Sequence, residues 1–406
     1  MGQVAVHTTL SPFQPYQLAG MCGRIRLAGA GLWLCAAATL STAAEGIAYR
    51  EVSPGVHYAH ISRAQEPLSI HVVKFDYRRP DLKLLTTLGR GAIFGLASVR
   101  KEIAALPPRA GQPIAGINGD FFIIKKDPYQ GDPRGLQITE GQLISSPDKD
   151  ACFWVDPAGR PRMSIVRSEC EVLWPDGKET PIRLNEKRPP DGAALLTPIL
   201  GPSTRTTNGV DLILEPEGPG PWLPLQANQT YSARVRETHL NGNAPLGPGI
   251  MVLSIGPKLA LQLFPLEVGT RLRIVTTLTP DLTGVQTAIG GGPVLVAQGQ
   301  ARQRPPGGAR NPRTAIGWND RDFYFVVVDG RKKDLSIGVG FAELADIMAE
   351  LGCKEALNLD GGGSSTLWLN GEVANHPSEN GVERNVGNAL VLVRKGTQFG
   401  NASPSR

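Results

Sequence analysis

The sequence predicts an α+β fold: a mixed β-sheet core with a few flanking helices and a β-rich inserted region. Three observations predict it. Short runs with a two-residue apolar period recur along most of the chain, as in Leu68-Ser-Ile-His-Val-Val-Lys-Phe-Asp-Tyr, the pattern of half-buried strands. Two stretches, residues 96–106 and 341–351, instead carry apolar residues at helical spacing. Gly 48 and Pro 34 among 406 residues, with 19% charged residues, describe a turn-rich globular chain rather than a disordered or collagen-like one. The net charge of +5 is too small and scattered to mark a nucleic-acid partner.

Residues 1–44 read as a signal peptide or N-terminal extension. Arg24 and Arg26 precede an apolar run, Leu27 to Leu40, and Thr42-Ala43-Ala44 supplies small residues before Glu45. That order is the one a cleaved export signal needs, and Met21 would place the basic residues at the very start. The run is short for a membrane span, although an uncleaved anchor is the alternative. Leu32-Trp33-Leu34 ahead of Cys35 lacks the small residue a lipidated cysteine wants. The mature chain is therefore expected to be secreted or periplasmic, with no membrane contact after cleavage. Three cysteines follow the signal. Cys152 and Cys170 flank one apparent hairpin and are candidates to pair in an oxidising compartment; Cys353 reads as a buried thiol. No C-x-x-C or His cluster suggests a transition-metal site, and no cofactor is expected.

Residues 47–90 read as strands. The helix of residues 96–106 ends at Pro107-Pro108 and is followed by a strand that closes on Asn118-Gly119-Asp120. The same plan recurs later: the helix of residues 341–351, then a strand closing on Asn358-Leu359-Asp360. Two such units could bring Asn118, Asp120, Asn358 and Asp360 to one edge of a sheet. Between them, residues 151–280 hold many short strand-like runs separated by Gly, Pro, Asn and Asp, and read as the β-rich insertion within a domain of residues 45–395. No helix is convincing there. Residues 298–311 read as an exposed basic loop, and residues 396–406 as a disordered tail.

The organising stretch is Ala356-Leu-Asn-Leu-Asp-Gly-Gly-Gly-Ser-Ser-Thr-Leu-Trp-Leu369. A plain hairpin needs one or two glycines. Gly361, Gly362 and Gly363 in a row cost backbone entropy and suit a place where backbone approaches something closely or aims N–H groups at an anion. Asn358 and Asp360 stand before the turn, and Ser364 and Ser365 after it. A second triplet, Gly290-Gly-Gly-Pro, is equally a close-packed bend or a ligand loop. The strand-end carboxylates are Asp120, Asp329 and Asp360; Arg313, Arg384, Asn118 and Asn385 add a fork and amides beside turns. Arginine forks grip phosphate oxygens, and Asn and Asp bind sugar hydroxyls. Two carboxylates in one site supply acid–base or nucleophilic chemistry at an anomeric carbon. There is no nucleophile elbow, which counts against a serine hydrolase.

Seven strings occur in order: Gly116-Ile-Asn-Gly-Asp-Phe-Phe, Gly290-Gly-Gly-Pro-Val-Leu-Val, Asn311-Pro-Arg-Thr-Ala-Ile-Gly, Val328-Asp-Gly-Arg, Glu343-Leu-Ala, Leu357-Asn-Leu-Asp-Gly-Gly-Gly-Ser-Ser-Thr and Glu383-Arg-Asn-Val. Together, across roughly residues 65–395, the chain resembles the phosphodiester glycosidase family. The resemblance implies an exported hydrolase that cuts between an anomeric carbon and a phosphodiester oxygen, on a sugar phosphodiester or anionic glycan of the cell envelope or exopolysaccharide. It implies Asp360, Asp120 and Asp329 as catalytic candidates. Asn118, Arg313, Asn358, Gly361, Gly362, Gly363, Ser364, Ser365, Arg384 and Asn385 are the binding candidates. Two rivals stay open: a secreted phosphodiesterase whose Asp120, Asp329 and Asp360 hold Mg²⁺ or Ca²⁺, and a non-catalytic glycan-binding protein using the same cleft.

Overall fold

The computed structural model describes residues 46–263, 267–303 and 308–396; the expected signal segment and all but the first residue of the expected tail lie outside these. Strand is the commonest regular structure of the described backbone, in three sheets and a barrel. The first sheet has eight strands, in the order Arg50–Ser53, Val56–Arg63, Leu68–Asp76, Asp322–Val328, Arg313–Trp318, Glu355–Asn358, Val294–Ala297 and Gln300–Ala301. The second has five: Glu372–Val373, Leu367–Leu369, Gln112–Asn118, Asn388–Arg394 and Leu82–Leu88. The third also has five: Gln142–Ser145, Gln137–Thr139, Thr287–Gly290, Ala151–Val155 and Pro161–Ile165.

One apolar core joins all three sheets. It takes Phe75, Phe323, Phe325 and Leu357 from the first, Ile117, Leu367 and Leu390 from the second, and Phe153 and Ile289 from the third. Thr86 Oγ1 donates to the carbonyl of Ile138 at 2.9 Å, and Thr287 Oγ1 to that of Leu84 at 2.9 Å, tying the edge strand Leu82–Leu88 of the second sheet to inner strands of the third. The shared core therefore lies between the eight-stranded sheet and the other two, as in a sandwich.

The fold is a correction to the predicted α+β class. Strands make up 44% of the described residues and helices 10%. Among the described residues only three α-helices form: Val99–Ala104, Pro257–Leu263 and Phe341–Glu350. Nearly every strand pair is antiparallel, the exception being Ile182 to Leu184 against Ala193 to Leu195, so no helix is needed to connect parallel neighbours. The helices cover outer faces instead. Phe341–Glu350 packs Leu344, Ile347 and Met348 against the outer side of the eight-stranded sheet, and Val99–Ala104 packs Val99 and Ile103 against the second sheet.

The first predicted helix is also shorter than its apolar pattern. Residues 96–98 stay outside because Ala97 exchanges both backbone hydrogen bonds with Val386, at 3.2 and 2.8 Å, and a residue so paired cannot join a helical ladder. Within residues 151–280, strands from Arg167–Leu173 to Arg271–Thr279 close a seven-stranded barrel. The short helix Pro257–Leu263 lies there too, where none was expected. Cys152, Cys170 and Cys353 are buried free thiols, which corrects the proposed Cys152–Cys170 bridge. Cys152 lies on the third sheet and Cys170 on the barrel, so they do not flank one hairpin.

Candidate active site

The two Asn/Asp units meet, though not along one sheet edge. Strand Gln112–Asn118 is in the second sheet and Glu355–Asn358 in the first, so the ends of two facing sheets converge. The Asp360 N–H donates to the Gly119 carbonyl at 3.0 Å, and Asn118 Nδ2 donates to the Asp360 carbonyl at 2.7 Å. Asn118 is fully buried, and its Oδ1 accepts from Thr314 Oγ1 at 2.7 Å and from the Thr366 N–H at 3.1 Å. It is thus the rivet that fixes Asp360 beside Asp120. Asn358 likewise donates through Nδ2 to the carbonyls of Gly292 and Leu359, each at 2.7 Å, which brings the second glycine triplet to the same place.

Asp120 is nearly enclosed. Its Oδ1 accepts from its neighbour Phe121 N–H at 2.7 Å, its Oδ2 from the Gly135 N–H at 2.8 Å, and its own N–H donates to Asn388 Oδ1 at 2.8 Å. A side chain on Gly290 would collide with the Asp120 carboxyl and with Gly135, so that glycine is required for the close approach. Burial raises the Asp120 pKa to about 7; the two N–H groups oppose this, and the Asp360 and Asp148 charges reinforce it. Asp360 is also raised, first by burial, against the pull of the Ser364 hydroxyl, the Gly361 N–H and the charges of Arg384 and Arg134. The Ser364 hydroxyl closes no complete hydrogen bond with it; the Gly361 N–H does, at 2.9 Å.

Three guanidinium groups ring the glycine turn. A side chain on Gly361 would meet the Pro312 carbonyl at 2.9 Å and Arg313 Cδ at 3.6 Å; on Gly362 it would meet Arg331 Nη2 at 3.0 Å; on Gly363 it would overlap Arg384. The Gly361 N–H is spent on Asp360 and the Gly362 N–H on the Pro312 carbonyl, at 2.8 Å. These glycines therefore admit arginines more than they cradle an anion with their own amides. Arg313 lies 3.9 Å over the Phe341 ring and donates to the carbonyls of Val339 and Ala309, each at 3.1 Å; burial and then the Arg331 charge lower its pKa.

Several buried oxygens around the turn make no hydrogen bond: Asn358 Oδ1, Asp360 Oδ2, Ser364 Oγ, Ser365 Oγ and Thr366 Oγ1. Buried polar atoms are nearly always paired, so five around one turn give it free capacity for polar partners. A cavity of about 420 Å³ opens on the Asp120 side, lined among others by Asp120, Arg134, Gly135, Asp148, Gly290 and Phe341; neither Asp360 nor the turn of residues 361–363 lines it. A second cavity, of about 300 Å³, is lined by Phe75, Tyr77, Leu84 and Phe323. It is largely apolar and contains neither Asp120 nor Asp360.

Asp329 and Asn385 stand apart from this group. Asp329 Oδ2 accepts from Ser69 Oγ at 2.8 Å and pairs with His71 Nε2 at 3.0 Å; Oδ1 accepts from Asn375 Nδ2 at 3.1 Å and from the His376 N–H at 2.9 Å. Burial would raise its pKa, but these bonds outweigh it and hold the carboxyl below the usual range. With both oxygens committed, Asp329 supports the turn from behind, since Asn375 also donates to the Ser365 carbonyl at 3.1 Å. Asp329→Asn is expected to cost about 3–5 kcal/mol. An acid lowered in the fold contributes stability above its unfolded pKa near 4 and loses it as pH falls through the folded value. The deficit of the variant, measured by denaturant titration, should therefore shrink below about pH 4. Asn385 is exposed and lines a separate hollow with Arg90 and Lys101.

Sequence reasoning did not select Arg134, Gly135, Arg331, Glu379 or Asn388. Arg331 stands within the quoted Val328-Asp-Gly-Arg string, and Arg134 within a Pro-Arg-Gly turn; that position beside a turn was the available signal. Asn388 opens a strand and gave none. Among the described residues, no group of three or more His, Cys, Asp or Glu is placed to hold a metal ion.

Residues 230–393 match the family model described as phosphodiester glycosidase. The motif resemblance is thus a phosphodiester glycosidase match. It contains Arg313, Arg331, Asn358, Asp360 and Arg384, while Asn118 and Asp120 precede it. Human N-acetylglucosamine-1-phosphodiester alpha-N-acetylglucosaminidase is 39% identical over 67 residues, which is 16% of this chain and 13% of the human protein. The chain thus aligns with about an eighth of that relative's length. Two crystal structures share the fold over more of the chain. A hypothetical protein from Synechocystis gives a TM-score of 0.67 at 20% identity, over 87% of this chain and 64% of that one. A presumed exported protein of Burkholderia pseudomallei gives 0.63 at 23% identity, over 80% and 74%.

Proposed function

We propose that the chain hydrolyses the bond between the anomeric carbon of a sugar and the phosphodiester oxygen attached to it. The observation that carries this reading is the pairing of two carboxylates of raised pKa, Asp120 and Asp360, with a glycine turn ringed by Arg313, Arg331 and Arg384. The arginines bind the phosphate and neutralise charge as it gathers on the departing oxygen. The leaving group is a phosphate monoester, so the anomeric carbon needs only modest help from an acid. Asp360, with one unpaired buried oxygen, supplies the negative charge at the reacting face, as nucleophile or as base for water. Asp120, held near neutrality by burial, shares the site's proton, because two close carboxylates resist ionising together.

The bonds balance simply. The C1–O bond breaks with its electron pair going to the phosphate, water oxygen ends on C1, and the water proton leaves through a carboxylate to solvent. The orphaned Asn358, Ser364, Ser365 and Thr366 oxygens accept or share hydrogen bonds with sugar hydroxyls. The basic, apolar and small-residue order of residues 21–44 supports export, hence a substrate in the cell envelope or exopolysaccharide. The test is incubation of the purified chain with a sugar-1-(methyl phosphodiester). Equal release of free sugar and methyl phosphate is expected, and its absence across a panel of sugars and of α- and β-linkages would refute the proposal.

A further inference from the structure

Glu379 and Arg384 form an ion pair directly on the glycine turn. Arg384 Nε donates to Glu379 Oε1 at 2.8 Å, and Arg384 Nη2 reaches the same oxygen. A side chain on Gly363 would overlap the Arg384 guanidinium and approach that Glu379 oxygen to 2.5 Å. The charge of Arg384 is felt at Asp360, so the pair lies within reach of the reacting group. The arrangement is fixed by the backbone. Asn380 and Gly381 take positive φ, 56° and 79°, as the two central residues of a type I′ turn must. The Val382 N–H closes that turn on the Glu379 carbonyl at 3.0 Å. The turn carries Glu379 back beside Arg384, five residues on.

We propose that Glu379 holds the place of a phosphate oxygen on Arg384, and so favours the singly charged phosphodiester over the doubly charged phosphomonoester. This rests on the function proposed above. Hydrolysis at C1 converts a diester of charge −1 into a monoester of charge −2 at alkaline pH. The three arginines attract both, and the monoester more, which by itself would leave the enzyme inhibited by its product. A fixed carboxylate at the same guanidinium reverses the preference, since like charges a few ångströms apart repel more strongly with each added charge. It also occupies one arm of the fork, leaving fewer donors for a third phosphate oxygen. Glu379 is about half exposed, so its role is in charge placement rather than in core stability, and it is a specificity residue that does not touch the reacting atoms.

The test compares two inhibitors at pH 8: methyl phosphate, a dianion, and dimethyl phosphate, a monoanion. In the parent chain methyl phosphate should bind no better than dimethyl phosphate, and tighter binding of methyl phosphate there would overturn the inference. In Glu379→Gln its inhibition constant should tighten by about tenfold, with dimethyl phosphate changing less than about threefold, and product inhibition should appear earlier in progress curves. Glu379→Asp, which keeps the charge, should restore most of the parent ratio. A ratio unchanged in Glu379→Gln overturns this inference while leaving the proposed hydrolysis standing. Failure of both inhibitors to bind the parent chain overturns it together with the phosphate end of the proposed function.

Discussion

Replacing Asp360 with Asn is expected to lower kcat by about a hundredfold or more, the range lost with a general base or nucleophile, while the melting temperature holds. Asn keeps the size of the side chain and one oxygen for the Gly361 N–H, now 2.9 Å from Asp360 Oδ1. It removes a charge whose burial already disfavours it, so the fold should lose little. The contrary case is that Asp360 serves only to cap its own glycine turn. Then Asp360→Asn would leave kcat nearly intact, and Asp360→Ala would lower the melting temperature instead. Arg313→Lys is the companion change. It keeps the charge and loses the planar fork over Phe341 and the donors to Val339 and Ala309. It should raise KM by about tenfold, or ~1.4 kcal/mol, with a smaller effect on kcat.

Asp120→Asn should abolish most turnover and also change how stability depends on pH. A carboxyl whose folded pKa of about 7 exceeds its unfolded value near 4 binds more protons in the folded state. Its contribution to stability is full below about pH 4 and is lost as pH rises through 7. Above that, a buried anion beside Asp360 counts against the fold. Asn does not titrate. The melting temperature of the variant relative to the parent should therefore climb between pH 4 and pH 8, whatever its offset at pH 4. A difference that stays flat across that range would show that Asp120 is ionised throughout and does not hold the site's proton near neutrality.

The fold was only partly legible. The long strands such as Leu68–Asp76 were readable because alternation and β-branched residues agree there. The class was misjudged because two helix–strand–Asn/Asp units look like the repeating plan of an α/β protein. What decides the class is pairing direction, a non-local property: strand Glu355–Asn358 lies antiparallel between Arg313–Trp318 and Val294–Ala297, and nothing in its own residues says so. The same limit hid the end of the first helix, where the partner that claims Ala97 is Val386, far along the chain.

The candidate site was more legible than the fold, since its residues stand at strand ends and in the turns beside them, where glycine, Asn and Asp are costly without a purpose. Asn118, Asp120, Asn358, Asp360 and Arg313 were selected on that ground and meet in space. Asp329 shared the same signature, a carboxylate at a strand end before glycine, yet its oxygens are taken by Ser69, His71, Asn375 and His376. Sequence shows that a carboxylate ends a strand but not which donors surround it. Glu379 was passed over for the converse reason: an acid in a polar stretch looks like surface until the type I′ turn folds it onto Arg384.

The most direct test of the proposed chemistry is hydrolysis of a sugar-1-(methyl phosphodiester) in ¹⁸O-labelled water, with the products weighed by mass spectrometry at early time. Attack at the anomeric carbon, the reaction proposed for Asp360 and the ring of arginines, puts the label on C1 of the free sugar and leaves methyl phosphate unlabelled. Label found in methyl phosphate would mean attack at phosphorus, and would contradict the assignment of this site as a glycosidase.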